Sequence, residues 1–597
     1  MIPQDTIRAL RNPIDGDAIL RRRKALRREL LAQSRARLKK RIAILGGSTT
    51  SEIRHVLDLF LLDSGIEAEF FECDYAKYYE CAVFGDQKLE AFRPDAVYLH
   101  TTSHNVSAFP DFTDNAEAAA ERVAAEAAKY GQIWRALRER FACSIIQNNF
   151  EFPPYRRLGN LDGIDHRGRT WFIDRFNARL ADLAREVPSV HLHDLHYLAS
   201  WYGLERWHDA SAWHSYKYAL SYGAIPHLAR SLTSLLLSVF GLAKKCLVLD
   251  LDNTLWGGVI GDDGVDHIQL GQGSPVGEAH LALQEYIADL GRRGVALAVC
   301  SKNEPTAAQE GLTHPDSALR LSDFAAFKAN WEPKHINIQN IATELNLGID
   351  SLVFLDDNPA ERELVASECP EVVVPDIGSD VARYLEFLDQ GGWFEPLTIA
   401  QEDLLRNTMY QGNAQRNQLQ NQARSYDDFL RSLDMVAEIG PFKPLYLDRI
   451  TQLINKTNQF NLTTRRYSLA QVQDFSTNPR FITLYGRLKD KFGDNGLISV
   501  LIGEQRGGEV HIDSWLMSCR VLKRDMEVAM LDALTAECRR RDVTEVFGYY
   551  YPTKKNGLVS SLFSTLGFTL VSETPEGSVW WLAVQDERKN RIIQVNP

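Results

Sequence analysis

Asp250 and Asp252 stand one residue apart at the end of the apolar run in CLVLDLDNT (246–254), and Asp356 and Asp357 end a second such run in SLVFLDDNP (351–359). A carboxylate at the end of a buried strand is held rigidly, and two at i and i+2 share one side of the strand. Like charges gathered in this way repel unless a cation or a shared proton compensates. Three or four carboxylates meeting at one sheet edge ask for a hard, oxygen-loving divalent cation. Mg²⁺ is the expected cofactor and phosphate chemistry its expected use.

For these carboxylates to meet, the runs must be neighbouring parallel strands. A third run, VALAVCSKN (295–303), repeats the design, and VGEAHLALQEYIADLGRRG (276–294) and HINIQNIATELNLG (335–348) read as the connecting helices. Strands that alternate with helices imply a parallel sheet covered on both faces. This α/β domain is placed at 243–385. Between Asp252 and Ser301 there is room for a short flap, LWGGVIGDDGVDHIQLG, and one helix, but not for a cap domain. An uncapped site admits a large substrate, such as the end of a carrier-protein arm, whereas small-metabolite phosphatases more often need a lid.

The flanking sequence divides into further segments. Residues 1–40 form a basic helical segment, with DAILRRRKALRRELLAQSRARLKK as its amphipathic core. Its bland reading is a solvated face; the alternative is a docking surface for an acidic partner. Residues 41–240 show a second strand–helix alternation, with strands in RIAILGGSTTSEIRHVL, DAVYLHTTSHN and ACSIIQNNFEFPP. Ligands of such sheets gather at the strands' carboxyl ends, where Ser48, His104 and Asn148 would lie. Residues 386–435 read as a polar helical linker, and 436–597 as a separate domain on a largely antiparallel sheet.

Composition bounds the whole. The chain has 597 residues, 45% of them hydrophobic, and a net charge of −12, which argues against a dedicated nucleic-acid binder. Eight scattered cysteines without a CxxC pair read as reduced thiols and not as a zinc site. The absence of an apolar signal core and of any 18-residue apolar run leads to the expectation of a cytoplasmic protein with no membrane span.

The four acidic and polar motifs resemble those of the haloacid-dehalogenase (HAD) phosphotransferase superfamily in order and spacing. DLDNT matches its first motif DxDxT, Ser301 in CSKN the second, Lys334 in WEPKHINI the third (Lys328 is the runner-up), and LDDNP the acidic fourth. The resemblance implies that Asp250 attacks phosphorus and that Asp252 acts as general acid and then activates water. It implies that Ser301 and Lys334, with the adjoining Lys302 and Asn303, bind substrate. It further implies that Asp250, Asp252 through its carbonyl, and Asp356 hold Mg²⁺ with Asp357 in support.

The longer strings LDLDNTLWGGVIGDDG, VCSKN and VFLDDNPAERELV, with INKTNQFNLTTRRY (454–467) and SWLMSCRVLKRD, are similar to the FkbH-like family of glyceryl transferase/phosphatases. That resemblance implies a glyceryl unit taken from 1,3-bisphosphoglycerate, dephosphorylated, and passed to an acyl carrier protein for polyketide biosynthesis. Such a reaction needs a thiol to hold the acyl group. Cys300 beside Ser301 is the candidate, Cys519 the second choice, and Cys246 is expected in the core. The C-terminal segment resembles a GNAT acyltransferase fold, with Arg520, Lys523 and Arg524 available to a phosphate but Lys523 and Asp525 where glycines would allow close approach. The 41–240 segment resembles an SGNH hydrolase, with Ser48, Asn148 or Asn149, and Asp209 with His214. A plain Mg²⁺-dependent phosphatase with scaffolding outer domains and a non-catalytic carrier-recruiting protein are the competing functions.

Overall fold

The computed structural model describes residues 8–399 and 425–596 except 12, 34–36, 142, 519, 520, 523, 554 and 586–588, together with Gly412, Arg416 and Leu419. Cys519, Arg520, Lys523 and most of the expected helical linker therefore lie outside the described residues. The chain forms two compact units, Met1–Val239 and Phe240–Pro597.

In the first unit, strands β1 (Leu38–Gly46), β2 (Ile66–Glu72), β3 (Ala96–His100), β4 (Ser144–Asn148) and β5 (Val190–His193) form one parallel sheet in the order β2-β1-β3-β4-β5. The basic stretch is helical over Gly16–Ala32 and buries Ile19, Leu26 and Leu30 on its apolar side. Its polar side is partly neutralised at home: Arg27 pairs with Asp58 at 2.6 Å, and Arg23 pairs with Glu52.

The second unit holds two sheets. Strands β6 (Cys246–Leu249), β7 (Ala296–Ser301), β8 (Ala326–Ala329) and β9 (Leu352–Leu355) lie parallel in the order β8-β7-β6-β9. Both faces are covered, which is why these strands read as unbroken apolar runs. Leu247, Leu249, Val299, Val353 and Leu355 pack on one face with Leu283 and Ile287 of the helix Pro275–Arg292. Val248, Ala298 and Phe354 pack on the other with Ile338 and Ile341 of the helix Lys334–Glu344. The pairings of Leu249 with Val299 and with Leu355 bring the next residues, Asp250, Cys300 and Asp356, to one level at the carboxyl edge. From Asp250 to the helix at Pro275 there is only the flap, with one short helical turn at Ile260–Asp263.

The third sheet has the order β15-β16-β14-β13-β12-β11-β10-β17, built from β10 (Val436–Gly440), β11 (Phe481–Asp490), β12 (Gly493–Arg506), β13 (Glu509–Met517), β14 (Glu545–Tyr550), β15 (Thr569–Thr574), β16 (Gly577–Ala583) and β17 (Gln594–Asn596). Its pairs are antiparallel except β13 with β14 and β10 with β17. It joins the central sheet at the amino ends of β6 and β9. There Lys245 Nζ donates to the Lys456 carbonyl at 3.3 Å, and Lys555 pairs with Asp350. Gly241, at φ +72°, lies so close to the Asn455 carbonyl that a Cβ would sit 2.0 Å from its oxygen. The carboxylates are thus at the end of the central sheet opposite to this junction.

Asp490, at the end of β11, is fully buried between Arg416 (2.6 Å) and Arg524 (3.2 Å). Removing one partner of a buried ionic cluster leaves uncompensated charge in a low-dielectric interior. Asp490→Ala is expected to destabilise the protein by about 3–5 kcal/mol in urea unfolding.

Candidate active site

Carboxylate oxygens of Asp250, Asp356 and Asp357 lie within 4.8 Å of one another. Asp250 and Asp356 sit at the ends of adjacent strands, and Asp250 N–H extends the ladder to the Leu355 carbonyl at 3.0 Å. Lys334, the first residue of its helix, reaches between them, with Nζ 2.6 Å from Asp356 Oδ2 and 3.1 Å from Asp250 Oδ2. Thr254 ties the two strand ends together: its hydroxyl donates to Asp357 Oδ1 at 3.2 Å and accepts from Asp357 N–H at 3.1 Å.

The charges explain the titration behaviour. Burial, then the neighbouring Asp250, push the Asp356 carboxyl up to about 6, and the same two causes raise Asp357. Burial alone would lower Lys334, but the Asp250 and Asp356 charges hold its ammonium well above the usual range. Three carboxylates face one ammonium, an excess of two negative charges, and Asp250 Oδ1 is buried with no hydrogen-bond partner. An all-oxygen donor set with that excess and an orphaned oxygen fits a hard divalent cation such as Mg²⁺.

Asp252 stands apart from this trio. The strand ends at Leu249, and Asp252 no longer obeys strand alternation. Its Oδ1 accepts from Trp256 Nε1 (2.9 Å) and Ile260 N–H (3.0 Å), and its Oδ2 from Asn303 Nδ2 (2.9 Å). Its side chain is therefore not among the clustered ligands, and the metal-ligand expectation for Asp252 narrows to its backbone. Burial raises its carboxyl, which suits a group that must carry a proton to a leaving oxygen. The Trp256 indole that fixes it packs against Gly311, where a Cβ would stand 2.6 Å from the ring.

Other expected residues are placed differently. Asn303 holds Asp252, and Lys302 pairs with Glu361 at 2.6 Å, so both support neighbouring side chains. Ser301 is buried at the end of β7, and Lys328 pairs with Glu344 at 2.6 Å, which leaves Lys334 as the lysine of the site. Cys300 departs most from expectation. Its thiol is fully buried, lies 3.6 Å from the Lys334 carbonyl that accepts from it, and packs among Cys246, Val248 and Ile338. Burial drives its pKa up, the opposite of what a nucleophilic thiol needs. In this conformation Cys300 is a packing residue.

The outer domains show why their motifs stay incomplete. In the first unit Ser48 Oγ is buried without a partner, so it makes no hydrogen bond to a histidine. Asp209 accepts from Ala212 N–H at 2.9 Å as a helix cap, and Asn148 binds the Thr101 backbone. His104 stacks on Trp213 with centroids 3.7 Å apart. A Ser48–Asp209–His214 triad is not assembled. In the third sheet β13 and β14 pair only over Glu509–His511 and Glu545–Phe547, then part. The notch is filled by the chain itself: Leu462 N–H donates to the Trp515 carbonyl (3.2 Å), Met517 N–H to Phe460 (3.0 Å) and Tyr551 N–H to Leu462 (2.9 Å). An extended arm cannot lie along strand edges that are already paired.

Comparison with known proteins agrees with this geometry. The profile of the FkbH N-terminal domain matches residues 41–237. The N-terminal part of BF1531 from Bacteroides fragilis, which contains a phosphatase domain and was solved in complex with Mg, superposes with a TM-score of 0.57 at 30% identity, over 63% of this chain and 99% of that one. The chain belongs to the FkbH-like family. For the third sheet, the ribosomal-protein-S18-alanine N-acetyltransferase of Escherichia coli matches at 13% identity over 26% of this chain and 99% of its own, with a TM-score of 0.21. The PaiA N-acetyltransferase of Thermoplasma acidophilum matches at 12% over 25% and 98%, with a TM-score of 0.19. No curated protein matches. Among the described residues of this FkbH-like chain no helix is long and apolar enough to cross a membrane.

A carboxyl raised on folding stabilises the native state below the unfolded pKa and loses that contribution as the pH rises through the folded pKa. The metal-free FkbH-like protein is therefore expected to lose stability as the pH rises through about 6, where Asp356 ionises beside Asp250. Mg²⁺ at a hundredfold excess over Kd should restore roughly 3 kcal/mol at pH 7 and less at pH 5, read as Tm shifts. Asn303→Ala, which frees Asp252, should lower kcat for phosphate release by about 10- to 100-fold with little change in Tm.

Proposed function

We propose that this protein takes the glyceryl unit of 1,3-bisphosphoglycerate, removes phosphate, and delivers the acyl group as a thioester to the phosphopantetheine thiol of an acyl carrier protein. The observation that supports the reading most is the carboxylate trio at an open sheet edge, with Lys334 set between Asp250 and Asp356, in a chain of the FkbH-like family. Asp250 is the nucleophile toward the phosphorus of the C3 phosphate ester, from which the C3 oxygen departs. The C1 acyl phosphate is left for the carrier thiol, which displaces inorganic phosphate as the thioester forms. Lys334 orients the Asp250 carboxylate and meets the phosphate oxygens, with Ser301 beside it. Asp252, held by Trp256, Ile260 and Asn303, gives its proton to the departing oxygen and then takes one from the water that cleaves the phosphoaspartate. Asp250, Asp356 and the Asp252 backbone would hold Mg²⁺, which screens the approach of an anionic phosphate to an anionic nucleophile.

A plain Mg²⁺-dependent phosphatase is the second reading, favoured by the enclosed Cys300 thiol and the filled notch between β13 and β14. Mass spectrometry after incubation with 1,3-bisphosphoglycerate, Mg²⁺ and a holo-carrier separates the two. A glyceryl increment on the carrier is the expected result; released phosphate with no acylated species would leave the phosphatase alone. Cys300→Ala is expected to keep both phosphate release and any acyl-enzyme species within twofold of wild type, because the buried thiol does not carry the acyl group.

A further inference from the structure

Trp331 is a large indole left 68% exposed on the loop between β8 and the helix that carries Lys334. The loop is not free to fold it away. Asn330 N–H donates to the Ser301 carbonyl at 3.1 Å, and Asn330 Oδ1 accepts from Glu332 N–H (3.0 Å) and Asn337 Nδ2 (2.7 Å). The indole itself is pinned, since its Nε1 donates to Glu304 Oε1 at 2.9 Å. Glu304 follows Asn303, which holds Asp252, and Trp331 precedes by three residues Lys334, which holds Asp250. The ring therefore bridges two loops whose other residues set the phosphate chemistry, at the edge where no cap domain stands.

A fixed, solvent-facing aromatic has already lost its rotamer freedom, so covering its face gains apolar burial at little ordering cost. Its polar atom is satisfied, which leaves a π face and ring edge for the ligand. The acidic side chains beside it, Glu304 and Glu332, are both exposed and disfavour a second phosphate there. A neutral chain of amides and methylene groups suits this surface, and the arm of an acyl carrier has that chemistry.

We infer that Trp331 is a preformed platform at the mouth of the phosphate site on which the pantetheine arm of the carrier lies, so that Trp331 is a specificity determinant for carrier-borne acceptors. This rests on the carrier reading of the same site. Because Trp331 touches neither the carboxylate trio nor Asp252 through any side-chain hydrogen bond, its loss leaves the phosphate chemistry in place.

The test uses the full chain with Mg²⁺ and pantetheine, which lacks a phosphate and so cannot bind through the cation. Saturation-transfer NMR titrations are expected to give Trp331→Ala an affinity about tenfold below wild type, with Trp331→Phe within threefold of wild type. Hydrolysis of p-nitrophenyl phosphate should stay within twofold for both variants. Equal pantetheine affinity in wild type and Trp331→Ala, or no binding by wild type, overturns the platform; a parallel loss of p-nitrophenyl phosphate turnover shows a structural role and overturns it too. Transfer to a holo-carrier is scored separately. A wild type that binds pantetheine through Trp331 yet acylates no carrier keeps the platform and removes the transfer reading.

Discussion

Mutual repulsion among carboxylates at the end of one sheet is the constraint around which the central domain is arranged. Asp250, Asp356 and Asp357 are brought together by strand pairing that also buries Leu249 and Leu355, so apolar packing forces the charges into proximity. Lys334 offsets part of the repulsion, and its helix is anchored by Ile338 and Ile341 on the sheet's face. What remains is a deficit of positive charge, fixed in place and facing the open edge. That deficit, on an all-oxygen donor set, suits a hard divalent cation.

The same arrangement separates two roles for neighbouring aspartates. Asp250 stays in the ladder and joins the trio, whereas Asp252 leaves the strand and is enclosed by an indole, a backbone N–H and an amide. One lies 3.1 Å from the Lys334 ammonium; the other has its carboxyl raised by burial. The flap that encloses Asp252 is too short to roof the opening, and the third sheet joins at the far end of the strands.

Much of this was legible in the sequence because it is local. The apolar runs ending in Asp250, Ser301 and Asp356, and the shortness of the flap, are features of contiguous residues. Lys334 was legible by its motif, and its grip on Asp250 follows from the helix starting there. The partners that decide finer roles are remote in sequence: Asn303 to Asp252, Lys302 to Glu361, and Lys328 to Glu344. Polar side chains have no periodicity that announces such pairings. Cys300 misled for the same reason, since its position at the strand end is local but its burial under the Lys334 carbonyl is not. The strand-like insertion of Phe460–Leu462 between β13 and β14 depends on a notch that exists only after the sheet has formed.

The most direct test of the central claim is anomalous diffraction from crystals soaked with Mn²⁺ as a stand-in for Mg²⁺. A single strong peak within coordination distance of Asp250 and Asp356, absent in crystals of Asp356→Asn, is the predicted result. Asp250 and Asp356 pointing away from each other, with no peak between them at saturating metal, would contradict the account.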